Sequence, residues 1–140
     1  MNEGLSFIIA DDETMLHSVL RRGVQMSFPG YTIKAEIVEN GAELYAKVAS
    51  QYDAGQPYHG IVTDHNMPKK TGLQAIIELQ ERGIVIPTLI ITGKGSEEII
   101  ARLPGLARTT LLVKPFPMEV FIETAKLVWP EYVRVPATTA

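Results

Sequence analysis

Five residues far apart in the chain, Asp11, Asp12, Asp64, Thr92 and Lys114, carry the chemistry this sequence can offer. Each stands where an apolar run gives out. Residues 5–10 (LSFIIA) lead into Asp11 and Asp12, Gly60-Ile61-Val62-Thr63 into Asp64, residues 84–91 into Thr92, and residues 109–113 into Lys114. After Asp64 the chain turns at Asn66-Met67-Pro68, since Pro68 has no N–H for a sheet and restricts the residue before it. If the runs are parallel strands of one sheet, their carboxyl ends share one rim, which is where open α/β sheets keep ligands. Three acids, a hydroxyl and an ammonium then meet. At roughly 4 Å and an effective dielectric near 20, one carboxylate pair costs about 4 kcal/mol, so the cluster either takes up protons or gathers a cation. Oxygen ligands without His or Cys suit a hard ion, Mg2+ above all, which takes one or two carboxylates and keeps water elsewhere. An aspartate beside that ion and a lysine is a nucleophile for a phosphoryl group, whose oxygens both cations neutralise. Thr92 is then placed to donate a hydrogen bond to one of those oxygens.

The rim exists only if strands and helices alternate, and the periodicity predicts that they do. Residues 5–10 are almost continuously apolar, as in a strand buried on both faces. From Thr14 the spacing turns helical: Leu16, Val19, Leu20, Gly23 and Val24 share a face, Arg21, Arg22 and Gln25 oppose it, and Pro29-Gly30 stops it. Residues 31–38 (YTIKAEIV) alternate like a strand near an edge. Asn40-Gly41 breaks that strand, and Leu44, Tyr45, Val48, Ala49 and Tyr52 then mark an amphipathic helix. Beyond Asp64, Thr71-Gly72 opens a third helix with Leu73, Ile76, Ile77 and Leu79 inward and Gly83 at its C-cap. A strand over 84–91, interrupted by Pro87, is followed by a short helix from Ser96 through Leu103, stopped by Pro104-Gly105. A strand over 109–113 precedes the last helix, whose Met118, Phe121, Ile122, Ala125, Val128 and Trp129 share a packing face that Pro130 closes. Five βα units predict an α/β fold: a doubly wound, five-stranded parallel sheet, flavodoxin-like, in a single domain over 1–130. Residues 131–140 read as a loosely held tail.

Composition agrees and narrows the function classes. At 140 residues with 46% hydrophobic and 21% charged, the chain suits one globular domain. A net charge of −3 offers no basic face for nucleic acid or an acidic membrane. No cysteine is present, which removes disulfides, thiolate metal sites and thiol nucleophiles. There is no apolar run of about 18 residues and no basic leader after Met1, so a cytoplasmic protein is expected.

Taken singly, each rim residue has an ordinary structural role: Asp11-Asp12 as a helix cap, Asp64 as a turn starter, Thr92 as a turn hydroxyl, Lys114 as a solvated charge. Together and in order, they resemble the receiver domain of response regulators, the CheY-like module of two-component signalling. The motifs are Asp11-Asp12, Asp64-x-Asn66-Met67-Pro68 with Gly72 beyond, Thr92-Gly93, and Lys114-Pro115-Phe116, and the likeness covers about residues 5–128. The resemblance implies that Asp64 is phosphorylated by a sensor histidine kinase or a histidine phosphotransfer protein. It implies Mg2+ held by the carboxylates of Asp12 and Asp64 and the backbone carbonyl of Asn66, with Asp11 acting through a bound water. Lys114 pairs with Asp64 or the phosphoryl group, and Thr92 swings to it on activation. Such a domain is a phosphoacceptor with intrinsic autophosphorylation and autodephosphorylation rather than an enzyme in the usual sense. Its kinase surface is the first helix with the strand-five loop; its target or dimer surface is the fourth helix, fifth strand and fifth helix.

Leu111 departs from the pattern. Three residues before the lysine, many receivers carry an aromatic whose ring turns inward with the threonine. Asn66 and Lys94 stand where the family tunes dephosphorylation. His65 reads as a surface residue pointing away from Asp64, and His17 and His59 as incidental. Two other classes stay in view. A degenerate receiver would dock without phosphorylation; an aspartyl-phosphate phosphatase would want a second Asp where Asn66 stands. With no output domain expected after Trp129, a stand-alone monomer or weak homodimer would signal by protein contact or phosphorelay to a target the sequence does not name.

Overall fold

The computed structural model describes residues 3–93 and 97–134. The elements are β1 (Glu3–Ala10), α1 (Thr14–Ser27), β2 (Tyr31–Val38), α2 (Gly41–Asp53), β3 (Gly60–Asp64), α3 (Gly72–Glu81), β4 (Thr88–Thr92), α4 (Glu97–Arg102), β5 (Thr109–Val113) and α5 (Met118–Val128). The strands form one parallel sheet in the order β2-β1-β3-β4-β5. The order reverses between β1 and β3, so the crevice above that pair is where this architecture takes ligands. Every residue of β3 and β4 is buried, whereas β2, an edge strand as its alternation predicts, buries only Val38.

Strand alternation divides the core in two. On one face Phe7, Ile9, Val62, Leu89 and Ile91 pack with Leu20, Val24, Phe28 of the α1 side and Phe121, Ala125 and Trp129 of the α5 side. On the other, Ile8, Ala10, Ile61 and Ile90 pack with Leu44 and Val48 of α2, Leu73, Ile76 and Leu79 of α3, and Ile99 of α4. Each such large apolar side chain contributes about 1.5–3 kcal/mol of burial. Trp129 closes the end of the sheet opposite the rim. It is fully buried, with its ring edge-on to Phe7 at 5.0 Å and to Phe28 at 6.1 Å, and its Nε1–H donates to the Pro87 carbonyl at 3.2 Å.

Four expectations need correction. The fourth strand begins at Thr88 rather than 84, because Pro87 has no N–H for the ladder; its carbonyl instead accepts from Ile61 N–H at 3.1 Å. The fourth helix ends at Arg102, and Leu103–Gly105, with Pro104 inside, tighten into a 3-10 turn; Ser96, like Lys94, lies outside the described residues. Val19 and Tyr52, placed on apolar faces by spacing, sit at the margins and are 43% and 44% exposed. The tail is also held further than expected. Pro130–Tyr132 form a turn, the Tyr132 ring meets Phe28, Tyr31 and His59 at 6.2, 5.9 and 5.6 Å, and Arg134 lies over Tyr31 at 4.1 Å. Residues 135–140 lie outside the described residues.

Trp129→Ala should lower unfolding stability by about 3–5 kcal/mol in a urea titration, the range for a buried large aromatic. A loss under about 1 kcal/mol would show that the closing aromatic cluster does not hold the sheet together.

Candidate functional site

Asp64 ends β3 and is only 3% exposed. Beyond it the backbone stays on the sheet for one more step, His65 N–H donating to Ile91 O at 2.8 Å, and then turns. The turn is pinned from three sides. Gly72 N–H donates to His65 O at 3.0 Å, and Gly41 N–H donates to Lys70 O at 3.0 Å. Thr71 and Gln74 form a capping box, with Gln74 N–H to Thr71 Oγ1 at 3.1 Å and Thr71 N–H to Gln74 Oε1 at 3.0 Å. Gly72 is required by close approach: a Cβ there would collide with the Asp64 carbonyl oxygen and lie 2.8 Å from Thr63 Oγ1.

Asp11 extends β1, its N–H donating to Val38 O at 3.0 Å. Its carboxylate is split in use. Oδ1 accepts from Glu13 N–H at 2.8 Å, which is the helix-start role expected of a lone Asp, while Oδ2 is buried with no partner. The Asp11 carbonyl meets His17 Nε2 at 2.6 Å, so His17 holds this corner rather than being incidental. Asp12 is exposed beside it. One carboxylate oxygen from each of Asp11, Asp12 and Asp64 lies within 4.8 Å of the other two.

Lys114 follows β5, and its N–H to Thr92 O at 2.7 Å zips the end of β5 onto β4. Its Nζ lies 3.3 Å from Asp64 Oδ1 and 3.7 Å from Glu13 Oε1, a second acid that sequence reasoning missed. The Asp64 contact is an ion pair within hydrogen-bond reach of the ammonium, although Oδ1 receives no well-directed bond. Thr92 is fully buried, and its Oγ1 has no hydrogen-bond partner, so it does not touch the acids in this state. Asn66 stands exposed on the turn after Asp64. Beside the acids, Leu16, Val19, Leu20, Pro115 and Phe116 line an apolar cavity of about 250 Å³.

His65 and His59 differ from expectation. His65 is 5% exposed, with Nδ1 buried and unpartnered. Strand alternation turns it away from Asp64, and in a sheet covered on both faces that direction leads into the other core layer. His59 ties β3 to β1: its N–H donates to Ser6 O at 2.7 Å, and Nδ1 accepts from Ser6 N–H at 2.9 Å.

Burial pushes the Asp64 carboxyl above the usual range, with the Lys114 charge pulling part of the way back. Burial also raises Asp11; the Glu13 N–H opposes it and the Asp64 charge adds to it. Burial alone would lower Lys114, but the Asp64, Asp11 and Glu13 carboxylates together outweigh it and hold the ammonium's pKa up. The residues fit a hard cation. Two buried carboxylate oxygens, Asp11 Oδ2 and Asp64 Oδ1, lack a hydrogen-bond donor, and the donor set is oxygen alone.

Comparison with known proteins agrees with this geometry. The family model described as the response regulator receiver domain matches residues 7–126. The response regulator MprA of Mycobacterium ulcerans is 32% identical over 114 residues, covering 80% of this chain and 44% of that protein. MprA of Mycobacterium avium is 30% identical over 117 residues, covering 82% and 46%. The chain thus spans less than half the length of these curated relatives. A response regulator receiver protein from Sinorhizobium medicae shares the fold, with a TM-score of 0.73 at 23% identity, covering 94% of this chain and 98% of that one. The Vibrio cholerae chemotaxis protein CheY4 superposes with a TM-score of 0.67 at 25% identity, covering 89% and 98%. Sheet order, rim and residue match coincide, and the chain belongs to the response regulator receiver domain family.

Proposed function

We propose that this receiver accepts a phosphoryl group on Asp64 from the phosphohistidine of a sensor histidine kinase or histidine phosphotransfer protein, and signals by protein contact or onward transfer. One observation carries the reading: a buried Asp64 whose Oδ1 makes no well-directed hydrogen bond and lies 3.3 Å from the Lys114 ammonium, in a residue with a carboxylate oxygen within 4.8 Å of one from each of Asp11 and Asp12. Asp12 and Asp64 would hold Mg2+ by their carboxylates and Asn66 by its backbone carbonyl, with Asp11 reaching it through water. Bound there, Mg2+ supplies the charge that cancels carboxylate repulsion and neutralises phosphoryl oxygens.

The chain's own groups do the rest. The free Asp64 oxygen forms the new P–O bond as the P–N bond breaks, the bonding pair staying on the donor's imidazole nitrogen. Lys114 holds the developing negative charge, and Thr92 turns to donate its hydroxyl to a phosphoryl oxygen. The donor fits over the apolar cavity that Leu16, Val19 and Phe116 line, with Met15, the residue before Leu16 on α1, 86% exposed. We assign the phosphoacceptor domain to residues 1–130, acting in the cytoplasm as a monomer or weak homodimer; among the described residues no helix is long and apolar enough to cross a membrane. Docking without phosphorylation rests on Leu111 alone, and a phosphatase reading lacks the second Asp at Asn66.

Given a small-molecule phosphodonor and Mg2+, the wild type should carry one transient acyl phosphate per chain. Asp64→Asn should carry none while unfolding at an undiminished urea concentration. Lys114→Ala should take phosphate about 100-fold more slowly, the weight of a removed charge-stabilising group. A singly labelled Asp64→Asn protein would refute the assignment; rapid donor turnover would favour the phosphatase, and an unmodified wild type the docking module.

The raised carboxyls give a second test. An acid whose folded-state pKa lies above its unfolded value contributes stability that is complete below the unfolded value and lost as pH rises through the folded one. Both Asp11 and Asp64 are raised, so without metal they weaken the fold on going from about pH 4 to neutrality. In EDTA, Asp11→Asn should match the wild type near pH 4 and exceed it by about 1–3 kcal/mol at pH 7.5, the cost of a buried group without a partner. Added Mg2+ should stabilise the wild type more than the variant. Equal urea midpoints at both pH values would contradict the electrostatic account.

A further inference from the structure

Two buried polar atoms near the acidic cluster, on neighbouring strands, have no hydrogen-bond partner: His65 Nδ1 and Thr92 Oγ1. Their side chains are hidden, at 5% and 0% exposure. The register sets them side by side. β3 and β4 pair Thr63 with Ile90 and Asp64 with Ile91, and His65 N–H still bonds to Ile91 O at 2.8 Å, so the next step brings His65 beside Thr92. Alternation then settles the face. Thr63 abuts the start of α3 and Ile90 belongs to the α2–α3 layer, so His65 and Thr92, each two residues on, turn to that same layer. Leu111, which pairs with Ile90 and packs into this layer, adds no polar atom to it.

A threonine hydroxyl has one hydrogen to donate and two lone pairs with which to accept. When Thr92 donates to a phosphoryl oxygen on Asp64, its oxygen is still able to receive an N–H. We propose that His65 is a positioning residue for Thr92: with the proton on Nδ1, it donates to Thr92 Oγ1 while Thr92 donates to the phosphoryl group. The three form one chain of hydrogen bonds, each link polarising the next. The two orphans of the resting state satisfy each other only when the phosphoryl oxygen has drawn the threonine into place. An imidazole on the neighbouring strand thus does by hydrogen bonding what Leu111 cannot do by ring packing. The inference rests on the phosphoacceptor reading of Asp64.

The test uses the full chain with beryllofluoride and Mg2+ as a stable stand-in for the phosphoryl group, and nitrogen-15 NMR of the His65 ring. Saturation should move the ring signals to a form protonated at Nδ1, with that proton protected from exchange. Thr92→Val, at its own saturating beryllofluoride, should leave them at resting values. His65→Leu should weaken beryllofluoride binding about tenfold, one net hydrogen bond. His65→Asn, whose amide N–H stands near the Nδ1 position, should recover most of it, whereas His65→Gln, whose amide mimics Nε2, should not. Ring signals indifferent to saturating beryllofluoride overturn the inference and leave the phosphoacceptor intact. Equal binding by the Leu, Asn and Gln variants does the same. A wild type that neither binds beryllofluoride nor takes phosphate brings down the phosphoacceptor reading itself. Should His65→Leu fail to fold, the wild-type and Thr92→Val spectra still decide.

Discussion

The molecule depends on one electrostatic constraint: carboxylates that repel one another are fixed at a single rim, two of them out of water. Side chains free to choose would separate. Asp11 and Asp64 cannot, because each ends a central strand whose backbone is committed to its neighbours, through Asp11 N–H to Val38 O and Asp64 paired with Ile91. Lys114 offsets part of the charge, but the burial that sharpens its attraction for Asp64 also penalises both ions. The rim therefore has unmet demand for positive charge, and on that demand rests the proposal that it takes a dication and then a phosphoryl group. Reactivity here is a cost that the rest of the sheet carries.

That cost is tolerable because the opposite end of the sheet is firmly closed. Trp129, Phe7, Phe28 and Tyr132 interlock there, and His59 locks β3 to β1 through both hydrogen bonds with Ser6. Close backbone packing continues to the rim itself. Gly72 lets the start of α3 touch the Asp64 carbonyl, and the Thr71–Gln74 box fixes where that helix begins. Precision at Asp64 thus comes from backbone contacts, leaving its carboxylate oxygens uncommitted to structure. Asp11 divides the same duties within one side chain, one oxygen building the turn and the other left for the site.

Much of this was legible in the sequence because burial on both faces leaves a plain signature. Apolar runs ending in Asp11, Asp64, Thr92 and Lys114 could be read as strand ends, and parallel strands force their ends together. Local chemistry was less legible where it depended on distant partners. His59 is 53 residues from Ser6, and nothing in its neighbourhood announces that bond. His65 shows a different limit. Alternation turns it away from Asp64, and its burial shows that the opposite face of a doubly wound sheet is a second core layer, not solvent. At Pro87 the apolar pattern runs on but the ladder cannot, so Ile84 and Ile86 are buried outside the strand although their apolar run reads as part of it.

A change at Thr92 would be felt on the β5 side of the sheet. β5 is the far edge strand, with Leu111 half-buried and Val113 47% exposed. Next to it α4, over its six described residues, buries only Ile99. A helix that short has no stability of its own and depends on its packing, so this side of the sheet belongs to the least firmly held part of the fold. The β1 side is braced by α1, whose Gly23 lies flush against Phe121 of α5. A hydroxyl that shifts at the end of β4 therefore pushes against the yielding side, whose neighbours are leucine and valine side chains with several rotamers within reach. An aromatic at position 111 would make that response a two-position ring flip; leucine makes it a repacking, and any sharpness in the switch must come from the polar groups at the rim.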